Sequence, residues 1–169
     1  MDFLELIRTR RSIRKYTETA IPGEVVQELL RAAMYAPSAT NEQPWQFIVI
    51  NDRKILDEIP SKHPYAAMAA QAPLAIVVCG DLRHDKANGY WVQDCSAATQ
   101  NLLLAAHSLG LGAVWCGIYP RERRVATIQK FLALPEHIIP LALVVIGHPA
   151  EQPIPEERFR PERVHYNGW

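Results

Sequence analysis

Apolar side chains follow two different spacings along the chain, one typical of helices and the other typical of strands. A recurrence every three or four residues predicts helices or helical turns. These cover residues 2–8, 24–36, 54–59 (a single helical turn), 64–71, 90–109 and 121–132. Short runs rich in β-branched residues predict four strands, at residues 46–50, 74–79, 111–116 and 141–146. This alternation predicts an α/β or α+β domain with helices on both faces of one sheet.

Three segments refine this picture. Residues 74–79 are continuously apolar and end at Gly80, which predicts a strand that is covered on both faces. The helix over residues 90–109 is rich in small side chains, so we expect it at the centre of the fold or at a subunit contact. Residues 150–169 are charged and rich in proline, which predicts an arm outside the core. We therefore expect one domain over residues 1–169 that ends in this arm.

Composition indicates a soluble globular protein. The 169 residues are 49% apolar and 21% charged, and 18 basic residues balance 18 acidic ones. Apolar runs are too short to span a bilayer, and the N-terminus is acidic where a signal peptide would be basic. We expect a cytoplasmic protein with no membrane partner. Cys79, Cys95 and Cys116 fit buried thiols of a reducing compartment better than a disulfide or zinc framework.

A basic stretch lies just after the first predicted helix. Five of the nine residues from Arg8 to Tyr16 are cationic: Arg8, Arg10, Arg11, Arg14 and Lys15. Guanidinium groups are bidentate donors that suit a phosphate, and the Ser12 hydroxyl adds another donor. A solvated turn or a nucleic-acid patch would show the same pattern. The neutral overall charge argues against nucleic acid as the partner, and such binding would fall steeply with salt.

A polar loop covers residues 36–45 and leads into the first strand. Its uncharged hydrogen-bonding side chains, Ser38, Thr40, Asn41 and Gln43, suit the edge of a planar heterocycle. The same residues could simply set the geometry of a helix-to-strand turn. Elsewhere the sequence has no Walker phosphate loop, no Gly-x-Gly-x-x-Gly motif and no metal-ligand spacing among its six histidines. This favours a protein that takes its chemistry from a bound cofactor.

Three segments together, Arg10–Tyr16, Ala36–Trp45 and Ala97–Trp115, resemble the flavin-dependent nitroreductase family. The resemblance covers essentially the whole chain. It implies an α+β fold, a three-layer sandwich in which helices flank a central mixed β-sheet and an extended arm forms the C-terminus. It also implies a homodimer that binds FMN at the subunit interface.

The resemblance assigns site residues in groups. Residues of the basic segment would hold the FMN phosphate, the ribityl chain and the pyrimidine edge: Arg10, Arg11, Ser12 and Arg14. Loop residues of the opposite subunit would cover the flavin: Pro37, Ser38, Ala39, Asn41 and Gln43. Cys116 and Gly117 match a strand end whose backbone N–H faces the reactive ring nitrogen. A basic residue of the arm would complete the phosphate site, with Arg158 preferred and Arg160 second.

The implied function is an FMN-dependent NAD(P)H oxidoreductase that reduces nitroaromatics, quinones or similar small electron-poor acceptors with ping-pong kinetics. NADH or NADPH would be the donor, the flavin would carry out the chemistry, and neither a metal nor an obligatory catalytic side chain is expected. Two alternatives stay open: a flavoenzyme of the same fold that dehalogenates or fragments the flavin, and a non-catalytic flavin-binding redox module. The chain is short for the family, and Cys116 stands where several members have an acid, so substrate specificity transfers least.

Overall fold

A four-stranded sheet and five α-helices form the framework of the computed structural model, which describes residues 2–169. The helices are α1 (Phe3–Thr9), α2 (Gly23–Met34), α3 (Arg53–Lys62), α4 (Trp91–Ser108) and α5 (Glu122–Phe131). The strands are β1 (Trp45–Ile50), β2 (Leu74–Asp81), β3 (Gly112–Gly117) and β4 (Ile138–Gly147). Short 3₁₀ turns lie at Ala39–Asn41, Ala67–Gln71, Leu82–His84 and Pro161–Arg163. The four predicted strands are confirmed, each within a few residues of its predicted bounds.

The strands lie in the order β1-β2-β4-β3, and each neighbouring pair is antiparallel. Parallel pairing within residues 2–169 is confined to an isolated bridge between Ser12 and Ala113. The sheet is therefore mixed only through this bridge, and its four strands form an antiparallel sheet of the α+β class. The bridge leaves β3 as an edge strand that is covered by the basic segment.

Two apolar cores lie on opposite faces of the sheet, because side chains of β2 alternate between them. Leu74, Ile76 and Val78 pack with α2 and α4 on one face. Ala75, Val77 and Cys79 pack with α3 and α5 on the other face. All eight residues of β2 are buried, which confirms the strand covered on both faces and the three-layer arrangement.

Two predicted elements differ from the structure. The single turn predicted at residues 54–59 is the ten-residue helix α3, which Asp52 caps by accepting hydrogen bonds from the Lys54 and Ile55 amides. The helix runs through Pro60 because Leu56 and Ile59 are fully buried in the second core. The helix predicted at residues 64–71 is the 3₁₀ turn Ala67–Gln71.

Two glycines let the basic segment lie directly on the sheet. A Cβ atom at Gly112 would lie 2.6 Å from Cγ2 of Ile13, and one at Gly147 would lie 2.8 Å from Cδ1 of Tyr16. Ile13 and Tyr16 are both buried in the second core. The segment between them is thus fixed to the ends of β3 and β4 by packing as well as by pairing.

The C-terminal arm begins on this same segment. The Ala150 amide donates to the Lys15 carbonyl at 2.9 Å. A carboxylate oxygen of Glu151 accepts hydrogen bonds from the Arg14 and Lys15 amides. From residue 152 onward every residue is exposed, as expected for an arm outside the core.

The three cysteines are buried free thiols, as predicted. Burial raises the pKa of Cys79 to about 12 and that of Cys116 to about 11. Both groups are therefore neutral thiols at physiological pH and poor nucleophiles. No helix in the part of the chain that the structure describes is long and apolar enough to cross a membrane.

Candidate functional site

The basic segment is held along the free edge of β3. The Ile13 amide donates to the Ala113 carbonyl at 3.0 Å, next to the Ser12–Ala113 bridge. Ile13 and Tyr16 point into the core, whereas Ser12 is half-buried and Arg14 is exposed. The segment therefore presents its polar side chains to one open surface while its apolar side chains anchor it.

Arg10, Arg11 and Arg158 converge. Partial burial lowers the pKa of Arg10, and the positive charges of Arg158 and Arg11 lower it further. Arg11 donates hydrogen bonds to the carbonyls of Arg8, Arg10 and Glu156, so it ties the arm to the segment. The three positive charges repel one another, and an anion between them would relieve that repulsion.

A groove of about 880 Å³ opens at this convergence. Its lining includes the cations Arg8, Arg10, Arg11 and Arg158 and the arm residues Glu156, Glu157 and Phe159. The Nε atom of Arg11 is buried and has no hydrogen-bond partner among the described residues. The unsatisfied guanidinium donor and the four arginines, which outnumber the two lining acids Glu156 and Glu157, fit a phosphate group. Arg160 is not part of this lining, since its guanidinium donates to the neighbouring Phe159 carbonyl.

Arg14 lies within electrostatic reach of the end of β3. Its charge opposes the rise in the pKa of Cys116, and also the larger rise in the pKa of Tyr16 that burial causes. Its backbone amide is fixed by Glu151, while its side chain is exposed. An exposed cation is therefore available near Cys116.

The polar loop has an unusual backbone. Thr40, Asn41 and Gln43 all have positive φ, between 48° and 58°, a region that non-glycine residues seldom adopt. Hydrogen bonds within the loop support it, since Ser38 Oγ accepts from the Gln43 amide and Asn41 Oδ1 accepts from the Gln43 side chain. Pro37, Asn41 and Gln43 are exposed, and Ser38 and Ala39 are half-buried.

A buried carboxylate anchors this loop to α4. Asp94, only 5% exposed, accepts a hydrogen bond from the Ala39 amide at 3.0 Å through Oδ1. Its second oxygen, Oδ2, is buried and has no partner among the described residues. Asp94 therefore fixes the base of the loop, and its free oxygen can still accept another donor.

The end of β3 is held from behind by two donors. His63 Nε2 and Arg124 Nη1 each lie 2.9 Å from the Gly117 carbonyl oxygen. The Ala113 carbonyl faces the free edge of the sheet, and by the alternation of a strand the Gly117 N–H and carbonyl face the same edge. Apart from the two chain neighbours of Gly117, no atom of residues 2–169 lies within 4 Å of where its Cβ would be, so open space adjoins this residue.

The hydrogen bonds of His63 define its tautomer. Its Nδ1 accepts from the Tyr65 amide at 3.3 Å, so its Nε2 carries the proton and donates to Gly117. Burial lowers the pKa of His63, and the adjacent Arg124 charge lowers it further. The imidazole is neutral at physiological pH and serves as a fixed donor.

The two predicted motifs lie toward opposite ends of α4. The loop contacts Asp94 near the start of the helix, whereas the segment that carries the arginines follows Thr9, whose hydroxyl contacts His107 near its end. Thirteen residues of helix separate these positions by about 20 Å. Within one chain the structure thus brings Arg10, Arg11 and Arg158 together, whereas Gly117 lies toward the start of α4, where Tyr119 contacts Trp91 and the loop contacts Asp94.

Sequence analysis did not identify His63, Asp94 or Arg124 as residues that organise the site. Asp94 and His63 act on partners 55 and 54 residues away along the chain. The one available signal was the pair Arg123 and Arg124 at the start of a predicted helix, where the helix dipole disfavours cations. Within residues 2–169 no group of His, Cys, Asp or Glu is arranged to hold a metal ion.

Comparison with known proteins identifies relatives along nearly the whole chain. The model of the Nitroreductase family matches residues 7–62 and 59–148. A protein of Methanothermobacter thermautotrophicus is 53% identical over 169 residues, which is 100% of this chain and 88% of that protein. Its provisional name is NADH dehydrogenase/NAD(P)H nitroreductase.

Solved structures agree with this match. An FMN-dependent nitroreductase from Clostridium difficile superposes with a TM-score of 0.91 at 28% identity, covering 99% of this chain and 100% of that one. A protein from Desulfovibrio desulfuricans, provisionally named a nitroreductase and solved in complex with FMN, gives a TM-score of 0.86 at 34% identity. That match covers 98% of this chain and 96% of the other.

Proposed function

The chain belongs to the nitroreductase family, and from that membership we propose that it is an FMN-dependent NAD(P)H oxidoreductase. When bound, FMN supplies the redox chemistry, which is hydride acceptance from NADH or NADPH and hydride donation to a nitroaromatic, a quinone or a similar electron-poor acceptor. The observation that carries the proposal is the convergence of Arg10, Arg11 and Arg158 on one groove.

In this proposal the arginine groove holds the phosphate of FMN. Partial burial and the charges of Arg158 and Arg11 lower the pKa of Arg10, and Arg11 Nε has no partner among the described residues. Both features are expected of a site that binds an anion. Arg158 rather than Arg160 completes the site, since only Arg158 lines the groove. Ser12 adds a hydroxyl donor beside it. Residues 150–169 then act as an arm that closes the groove of a single FMN-binding domain.

The end of β3 orients the redox centre. His63 and Arg124 fix the Gly117 carbonyl, which fixes the plane of its peptide and the direction of the neighbouring N–H groups. We assign to the Gly117 region the backbone donor that faces the reactive ring nitrogen. Arg14 supplies positive charge at the pyrimidine edge, where it stabilises negative charge on the reduced ring and raises its potential. Cys116 takes part through its backbone, because burial keeps its thiol protonated.

A homodimer completes the site. The loop residues Pro37, Ser38, Ala39, Asn41 and Gln43 are anchored at Asp94 near the start of α4, and they are not among the residues described as lining the arginine groove. We therefore assign them to the flavin of the opposite subunit. The helix α1 supports this assembly, since it buries none of its residues and exposes Phe3, Leu4 and Ile7.

The first test is an absorbance spectrum of the purified protein, repeated without oxygen after addition of NADH or NADPH. Flavin bands that are retained on gel filtration and bleach with either donor support the proposal. Reoxidation by a nitroaromatic or a quinone, in a ratio of one acceptor to one donor, identifies the second half of the reaction.

Other spectra would reject the proposal in distinct ways. A colourless protein that stays colourless after FMN is added would remove the cofactor assignment. Bound FMN that neither donor bleaches would favour the non-catalytic redox module. Bleached FMN that reduces no nitroaromatic or quinone but releases halide from a halogenated phenol would favour the dehalogenating alternative.

A further inference from the structure

A second basic groove lies next to the Gly117 peptide, whose carbonyl contacts two of the groove's lining residues. It measures about 840 Å³, and four of its nine lining residues are cations: Lys62, Arg121, Arg123 and Arg124. The other lining residues are Pro60, Ser61, His63, Pro64 and Thr127. No acidic side chain lines it, although the chain as a whole has no net charge. This groove has no role in holding FMN as proposed above.

Two of these cations have nothing to bind within the subunit. Arg124 is engaged with the Gly117 carbonyl and lies over the Tyr65 ring, and Lys62 lies over the Phe131 ring. Across residues 2–169, by contrast, the side chains of Arg121 and Arg123 make no hydrogen bond or ion pair, and both residues are exposed. Two guanidinium forks are therefore free to bind an anion from solution.

Their placement runs against the usual preference of a helix. Arg121 is the N-cap of α5 and makes no side-chain cap, and Arg123 and Arg124 lie in its first turn. The start of a helix carries a partial positive charge and unsatisfied N–H donors, so it normally attracts acids. Glu122 in the first turn follows this preference, whereas the three arginines add to the positive potential. An anion in the groove would satisfy the N–H donors and the guanidinium groups together.

The groove adjoins the redox centre. His63 and Arg124 line it, and the same two side chains hold the Gly117 carbonyl at 2.9 Å. A molecule that reacts beside Gly117 could therefore extend into this groove. Of the two substrates of the proposed function, the nicotinamide nucleotide is the one that must carry phosphates at a distance from its reacting ring.

We propose that this second groove binds the phosphate groups of the nicotinamide donor and makes the enzyme prefer NADPH to NADH. The inference rests on the proposed oxidoreductase function and adds the specificity of its donor. The 2′-phosphate of NADPH contributes about −1.5 to −2 charges beyond those of NADH. Lys62 is paired with Glu58 at 3.9 Å, but the three arginines still exceed what a single carboxylate of an acceptor would need and match a group of several phosphates.

The test uses adenosine 2′,5′-bisphosphate, which carries the distinguishing phosphate but cannot donate a hydride. Calorimetric titration into the FMN-loaded protein should show binding that adenosine 5′-monophosphate does not match and that weakens with added salt. The variants Arg121→Gln and Arg123→Gln should each weaken this binding about tenfold. Lys130→Gln is the matched control, because Lys130 lies at the far end of α5 and outside the groove.

Kinetics provide the second readout. Both arginine variants should raise KM for NADPH about tenfold, leave kcat nearly unchanged and affect NADH less, since the lost interaction is one of ground-state binding. Absence of bisphosphate binding at low salt would overturn the inference, and so would variants that alter NADH and NADPH equally. The titration involves no turnover, so it judges this groove even if neither donor bleaches the flavin, a result that would reject the proposed function instead.

Discussion

At the scale of single residues, the hydrogen bonds to the Gly117 carbonyl fix the end of β3. This carbonyl accepts from both His63 and Arg124, so either donor alone would leave the carbonyl satisfied. Loss of His63 would instead leave the Tyr65 amide without its acceptor, because Nδ1 of His63 takes that hydrogen bond. Because this contact is only partly buried, the loss should destabilise the protein by about 1 kcal/mol, the net contribution of a typical hydrogen bond.

Stability should fall as the solution becomes acidic through the titration of His63. Its pKa in the folded protein lies below the usual value of about 6.5, so the unfolded chain binds more protons as the pH drops below that value. The contribution of His63 to the free energy of unfolding is therefore complete above about pH 6.5 and decreases below it. Urea unfolding of the wild type and His63→Gln at about pH 7.5 and about pH 5 measures the effect. The variant, which cannot titrate at this position, should show the smaller decrease.

The exposed His165 offers a control for this measurement, since His165→Gln should keep the wild-type dependence on pH. Equal slopes for wild type and His63→Gln would exclude His63 as the titrating group.

Arg14→Ala should lower the potential of the bound flavin and weaken FMN retention about tenfold, since it removes the exposed cation near Cys116. Spectroelectrochemistry and fluorescence titration with FMN measure the two effects. Lys15→Ala is the matched control, a neighbouring exposed cation whose amide shares the same Glu151 contact. Wild-type potential and affinity in Arg14→Ala would remove Arg14 from the site.

At the scale of elements, local patterns predicted what is local. Helices α2 and α4 follow from apolar spacing, and β2 follows from an unbroken apolar run. The 3₁₀ turn at Ala67–Gln71 does not follow from its alanine-rich sequence. The guanidinium of Arg53 on α3 donates to the carbonyls of Ala69 and Ala72, and Pro73 has no N–H that could bond the Ala69 carbonyl in an α-helix. Tertiary contacts decided the conformation there.

In the candidate site, too, the sequence predicted local features and missed those that depend on distant contacts. Arg10 belongs to a local motif of the sequence, whereas the choice of Arg158 over Arg160 could not be made from spacing and rests on the lining of the arginine groove. The bridge between Ser12 and Ala113 joins positions 101 residues apart, and no periodicity reports such a pairing. The strand order and the supporting roles of His63 and Asp94 depend on equally distant contacts, so they could be found only in the folded chain.

Gly112→Ala should detach the basic segment from the sheet. The added methyl group would lie 2.6 Å from Ile13 Cγ2, which requires Ile13 to shift. Overpacking of this kind costs about 1–3 kcal/mol in the free energy of unfolding, and here it should also weaken FMN binding. Denaturant unfolding and FMN titration measure the two effects.

Gly23→Ala provides the comparison, because nothing lies within 4 Å of its added Cβ and it opens helix α2. That variant should be as stable as the wild type. If Gly112→Ala is destabilised but keeps its FMN affinity, the packing of Ile13 does not contribute to FMN binding.

At the scale of the whole molecule, exposed apolar side chains indicate a surface that association covers. Phe3 is 69% exposed and Leu4 is 57% exposed, and both lie on α1, which packs only its other side on α4. If the proposed homodimer forms through this surface, Leu4→Glu should convert it into monomers that lose FMN, because each proposed site includes the loop of the other subunit. Sedimentation velocity with detection at flavin wavelengths reports both changes at once.

Ile55→Glu is the matched control for this prediction. Ile55 is a partly exposed apolar residue of α3, in the layer on the opposite face of the sheet. The Ile55→Glu protein should remain a dimer with bound FMN. A Leu4→Glu protein that sediments as a flavin-bound dimer would assign the subunit contact to another surface.

The bridge between the basic segment and β3 also bears on how the protein behaves in a crowded solution. An edge strand offers a row of unpaired backbone groups to which another chain can add a strand, and this is a common route to aggregation. Ser12 and Ile13 occupy part of that row on β3. The same segment carries arginines that repel one another until an anion joins them. The supply of FMN would thus affect solubility as well as activity. In a chain without FMN, the basic segment would cover the edge of β3 less firmly.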